Sequence, residues 1–165
     1  MIVLKQSMMK RFLLIVFLIL NTQLSQAQYQ GEIRAQLSTE YGVNTNLFGM
    51  GLLGEYFIID RLSVATNIMV LLPETGKATN LHIDGRYYFN EGTSQFYGLL
   101  GFNYYRRRLE FAPEEDNLIQ RPGLNIGGGY NYRISEEFSV DTKLMFQPQN
   151  NNNLIIGIGI NYHIN

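Results

Sequence analysis

Residues able to do acid–base or nucleophilic chemistry are sparse in this 165-residue chain. It has two histidines, His82 and His163, and no cysteine. A serine nucleophile needs a base to take its proton and an acid to orient that base. His82 has Asp84 two residues along, which places both on one face of an extended strand, but no serine lies near it in sequence. Ser63 falls on the preceding strand-like run, toward its opposite end. The lack of cysteine removes disulfides, thiolate metal ligands and an acylated N-terminal Cys. What remains is charge. Arg106, Arg107 and Arg108 are consecutive, and the guanidinium fork suits phosphate oxygens. Glu110, Glu114, Glu115 and Asp116 follow, a set that could hold a divalent cation, pair with those arginines, or simply keep a loop solvated.

The elements that must position these groups are read from composition and period. Only 16% of residues are charged, beside 16 Gly, 11 Tyr and 10 Phe, whereas soluble domains carry about 25% charged residues. The first 27 residues have the order of a secretory signal peptide: Lys5, Lys10 and Arg11, then the apolar run Phe12 to Leu20, then Ser25 and Ala27 at the small positions before a cut. Nine apolar residues are too few for a spanning helix, which needs about 20. Cleavage would leave a single domain over 28–165, with a net charge near −4 because the leader holds three bases and no acid. That balance excludes nucleic acid as a partner. Neither a cofactor nor a metal is expected.

The domain divides into eight alternating runs: Glu32–Tyr41, Leu47–Phe57, Leu62–Leu71, Asn80–Phe89, Phe96–Arg106, Leu124–Arg133, Phe138–Phe146 and Leu154–Ile164. Each matches a tilted membrane-spanning strand of about 9–11 residues. Pro73, Pro113, Pro122 and Pro148 all fall between runs, as expected of a residue that cannot donate to a ladder. Alternate residues of each run form a face without charge, Asn or Gln; Leu37, Leu52, Ile68, Leu100 and Ile158 typify it. The other face carries Arg34, Glu40, Glu55, His82, Asp84, Arg86, Asp141 and Lys143, with Glu32 and Arg133 at its end and glycines such as Gly101, Gly129 and Gly159 between them. A soluble barrel would have to fit the aromatic rings of the apolar face into an interior with room for ordinary side chains only. Turned outward, those rings meet lipid and the glycines relieve a narrow lumen. The expected fold is all-β: an eight-stranded antiparallel up-and-down transmembrane β-barrel.

Connections after runs two, four and six are short, while those after runs three and five (Arg107–Gly123) and seven are longer. Periplasmic turns and outer loops differ in that way, so both termini are expected in the periplasm. The loop at Gly42–Asn46 is short and breaks the trend. Tyr56, Tyr87, Phe89, Tyr130, Tyr132, Tyr162, Phe96 and Phe138 gather at one rim as an aromatic girdle.

On these features the chain resembles the small OmpA/OmpX-type outer-membrane β-barrels, across essentially all of Gln28–Asn165. The last run, LIIGIGINYHIN, is similar to that family's terminal assembly signal, with Gly157 or Gly159 before alternating apolar residues and Tyr162, although it ends in Asn165 rather than an aromatic. The resemblance implies the outer membrane, engagement of the barrel-assembly machinery through the final strand, and contact with outer-membrane lipid, including lipopolysaccharide phosphates at Arg106, Arg107 and Arg108. No peptidoglycan-binding domain follows, so no wall-anchoring role is implied. Five acids (Glu32, Glu40, Glu55, Asp84, Asp141) face four bases (Arg34, Arg86, Arg133, Lys143) in the lumen. That near balance predicts an ion-paired plug, because a selective pore shows one sign in excess. The leading function is structural or surface interaction, without catalysis. A narrow pore for ions or small solutes is the alternative, and a lipid-modifying enzyme a weaker one.

Overall fold

The computed structural model describes residues 30–110, 113 and 117–164. The segment read as a signal peptide, Gln28, Glu114, Glu115, Asp116 and Asn165 lie outside the described residues. Eight strands follow in order: β1 (Ile33–Gly42), β2 (Leu47–Ile59), β3 (Leu62–Leu72), β4 (Lys77–Tyr88), β5 (Ser94–Arg108), β6 (Leu118–Arg133), β7 (Phe138–Gln147) and β8 (Asn153–Ile164). Each pairs antiparallel with its chain neighbours, and β1 pairs with β8, so the sheet closes into a barrel. Closure leaves no open edge across the apolar belt, and pairing around the ring satisfies the backbone where no water is available.

Burial alternates along the strands in the sense the sequence predicts. Leu37, Leu52, Ile68, Leu100 and Ile158 face outward, with Leu52 and Leu100 67% and 65% exposed, while Arg34, Glu55, Asn67, His82, Arg86 and Asp141 are buried. An exposed apolar surface of this extent is unfavourable in water and is stable against hydrocarbon. Aromatic pairs ring one rim: Tyr87–Phe89 at 5.6 Å, Phe96–Tyr130 at 4.7 Å and Phe138–Tyr162 at 5.4 Å between ring centres. That rim carries the turns at 60–61, 89–93 and 134–137.

Two expectations are corrected. The loop expected over Arg107–Gly123 is mostly hairpin, because β5 runs to Arg108 and β6 starts at Leu118. Arg106, Arg107 and Arg108 are therefore strand residues. Pro122 lies inside β6, opposite Tyr104. It is tolerated there because β6 pairs with β7 only from Ile126 onward, so at Pro122 one side of the strand carries no ladder. The remaining connections, 43–46, 73–76 and 148–152, are scarcely longer than the turns on the other rim. The difference between the two rims thus rests mainly on the β5–β6 hairpin.

The lumen is packed with side chains. Phe57, Tyr88, Tyr97, Leu99, Met145 and Ile155 form an apolar cluster within it. The glycines beside it are spacers: a methyl on Gly129 would overlap the Tyr97 ring, and one on Gly159 would overlap the Gln36 amide.

Candidate functional site

The inward parity of the strands brings the lumen charges into several groups rather than one. At the girdle end, Glu32 precedes β1 and its Oε1 receives Arg34 Nε at 2.8 Å, Arg133 Nη2 at 3.3 Å and His163 Nδ1 at 2.6 Å. Further in, Glu55 is held by Arg86 Nη1 at 3.4 Å, the Ser63 hydroxyl at 2.5 Å and the Tyr88 hydroxyl at 2.9 Å. Toward the hairpin end, Glu40 Oε1 meets Lys143 Nζ at 2.5 Å and accepts from Asn67 Nδ2 at 2.8 Å. Asp84 and Asp141 take neutral donors: Asn125 Nδ2 at 2.7 Å and the Tyr97 hydroxyl at 2.9 Å.

Aromatic rings do part of the work expected of carboxylates. The Arg34 guanidinium lies 4.4 Å from the Phe57 ring centre, and that of Arg86 lies 4.8 Å from the centre of Tyr97. Such contacts are attractive through the ring quadrupole, and more so when desolvated. Asn125 Oδ1 accepts from Asn103 Nδ2 at 2.8 Å and Gln147 Nε2 at 2.9 Å, which makes it the hub of an amide cluster. Sequence reading passed over Phe57, Tyr88, Tyr97, Asn125 and Gln147. Their place on the polar parity of each strand was the available signal.

The search for a nucleophile also changes. His82 pairs in register with Asn67, and Ser63 pairs with Arg86, so His82 and Ser63 are separated along the strands. A different serine meets the other histidine: His163 Nε2 is 2.9 Å from Ser139 Oγ, while Nδ1 faces Glu32. The connectivity is that of a nucleophile, base and orienting acid. Ser139 is fully buried and its Oγ also accepts from Asn161 Nδ2 at 3.1 Å. The chain Glu32–His163–Ser139 ties β1, β7 and β8 together at the girdle rim.

Glu32 lies just outside β1. Burial alone would raise its pKa, but hydrogen bonds from His163 and Arg34, with their charges, bring it down to about 2 from the ordinary 4.5. A depressed carboxylate contributes stability above its unfolded pKa and loses it as pH falls through the folded one. The unmodified barrel is therefore expected to resist urea better than Glu32→Gln at pH 7. The gap should close between about pH 4.5 and pH 2, read as unfolding midpoints in liposomes across that range. A gap independent of pH would show that the charge on Glu32 is not what holds this rim.

Strand parity divides the arginine triplet. Arg106 and Arg108 alternate with the inward residues Tyr105 and Arg107, and Arg108 pairs in register with Lys77 of β4. The outer wall therefore carries Lys77, Arg106 and Arg108 above the apolar band, while Arg107 turns toward the mouth.

No protein-family model matches the sequence, and no curated protein does. Among solved structures the chain is similar to the N-terminal β-barrel domain of Pseudomonas aeruginosa OprF, with a TM-score of 0.73 at 17% identity over 83% of this chain and 100% of that one. It is also similar to the outer-membrane protein OprG of the same organism, with a TM-score of 0.61 at 14% identity over 84% and 98% of the two chains. Yersinia pestis Ail, in a complex with the heparin analogue sucrose octasulfate, gives 0.56 at 17% identity over 82% and 99%. At these identities the likeness establishes the fold. The chain is thus a closed eight-stranded antiparallel barrel with an apolar outer belt, the fold these small outer-membrane proteins share.

Proposed function

We propose that this barrel is a structural and surface-interacting protein whose lumen is a closed, ion-paired core and whose contacts are made at the rim and outer wall. The supporting observation is a bond across the diameter. Arg34 Nη1 of β1 reaches Gln95 Oε1 of β5 at 3.3 Å, and β1 and β5 are opposite staves of an eight-strand ring. Side chains that meet across the full width leave little room for hydrated ions, and an eight-stranded interior is of a size that side chains fill. Pairing offsets much of the cost of withdrawing these charges from water.

The outer wall supplies the contact chemistry. Lys77, Arg106 and Arg108 would pair with lipopolysaccharide phosphates, with the forked donors of the two arginines suited to those oxygens. Strand β8 is the segment through which the assembly machinery would engage the chain. Planar-bilayer recording of refolded protein tests the closed lumen. The unmodified barrel should be silent, with openings appearing only in Arg86→Ala or Asp84→Ala. Steady, sign-selective conductance of the unmodified protein would reject the plug and make the barrel a narrow pore.

A further inference from the structure

The inner face of the β5–β6 hairpin meets two short connections at the mouth and borders an open cavity of about 360 Å³. Its wall includes Arg107, Arg121, Tyr105, Asn44, Asn150 and Asn151. Among the described residues no carboxylate lines it. In register, Tyr105 faces Arg121 and Arg107 faces Ile119, so the two guanidiniums are diagonal neighbours on one face of the hairpin. Like charges so placed repel, and an anion between them turns that repulsion into attraction. Arg107 Nε is buried without a hydrogen-bond partner among the described residues, and an unmade bond from a buried charged group is costly. Arg107 also hydrogen-bonds the Tyr105 hydroxyl, which places that hydroxyl beside the charged pair. Amides from the 43–46 and 148–152 connections supply neutral polar groups around the charged pair.

We propose that this cavity binds the oxyanion of a small soluble ester, a phosphorylated or sulfated sugar, through Arg107 and Arg121, with the amides of Asn44, Asn150 and Asn151 and the Tyr105 hydroxyl holding the polyol. Size supports a sugar, since ligand pockets begin at about 300 Å³. Position supports a soluble source rather than a lipid headgroup, because Arg107 and Arg121 share the inward face and the lipid side of the same hairpin belongs to Arg106 and Arg108. The proposal rests on the surface-interaction reading of this rim and supplies its ligand chemistry. Channel recording tests the closed lumen separately, so a conducting barrel that still selects the oxyanion would overturn the plug and leave this site standing.

Calorimetric titration of the refolded barrel in neutral detergent with glucose 6-phosphate, and with glucose as its uncharged counterpart, tests the site. Glucose 6-phosphate should bind at least about tenfold more tightly than glucose, the difference that one charge-assisted hydrogen bond supplies. Arg107→Gln and Arg121→Gln should each remove about that factor, while Arg61→Gln, at the opposite rim, should leave binding unchanged. Retained migration of the unboiled protein on a gel identifies variants that still form the barrel, and either inward arginine suffices for the comparison. Equal binding of the two sugars would overturn the proposal, as would an Arg61→Gln loss equal to that of Arg107→Gln. Repeating the titration in vesicles that carry lipopolysaccharide separates the two phosphate sources. Persistent binding supports a soluble ligand, and its disappearance would give the site to the lipid instead.

Discussion

Arg86→Ala should cost about 3–5 kcal/mol, the usual penalty for removing one member of a buried ion pair. Arg86 has no exposed surface, and its guanidinium divides its attraction between Glu55, at 3.4 Å, and the Tyr97 ring. Truncation removes that cation from the Glu55 carboxylate, which keeps the hydroxyl donors of Ser63 and Tyr88. It also opens a void against Tyr97, so the electrostatic and packing losses add. The reference is Arg61→Ala. Arg61 pairs with Glu91 at 2.7 Å, a shorter bond, but both side chains are about a quarter exposed, and solvated pairs are worth only about 0–1 kcal/mol. Urea unfolding in liposomes should therefore rank the longer contact as far the more valuable. Equal losses for the two variants would mean that water reaches Arg86 and that the lumen is not a dry core.

Leu100→Arg should cost about 2–4 kcal/mol, the penalty for a cation on the lipid face of a barrel near the midplane. Leu100 lies halfway between Phe96 of the girdle and Tyr104 on β5, and it pairs with Gly85 and Ile126. Those neighbours carry no acid, so an arginine there would have to bend toward a rim to reach water. The same assay measures it. An unchanged unfolding midpoint would mean that this face does not meet hydrocarbon.

Most of the architecture was legible because it rests on a period of two that every strand repeats. The outward row through Leu37, Leu52 and Leu100 and the inward row through Arg34, Glu55 and Arg86 required no knowledge of pairing partners. The hairpin ends were not legible for the complementary reason. Above the lipid band β5 and β6 lose their apolar face, so Arg107 to Arg108 and Leu118 to Gly123 resemble loop although they form a ladder. Pro122 reinforced the error, since only the late start of β6–β7 pairing makes a proline acceptable there. The groups in the lumen were legible as charges but not as partners. Ser139 and His163 meet through the β7–β8 register, and Glu32 reaches His163 across 131 positions of sequence. Such contacts depend on shear and closure, which no local pattern encodes. The division of Arg106, Arg107 and Arg108 between two faces, by contrast, follows from alternation alone once the strand is extended past Arg106.

The seam between β1 and β8 joins Ile33 to Ile164 and runs through ten register pairs to Gly42 and Ile155. Every other pairing in the ring joins strands adjacent in the chain, so seven of the eight seams can zip as hairpins while the eighth waits. Closing a loop over the whole domain carries the largest entropic cost of any step. Until β8 docks, β1 is an open edge capable of capturing a strand from another molecule, and Glu32 lacks His163. The Glu32–His163 contact therefore forms in the same step that covers the β1 edge, so edge protection and charge pairing at the girdle rim arrive together when β8 docks.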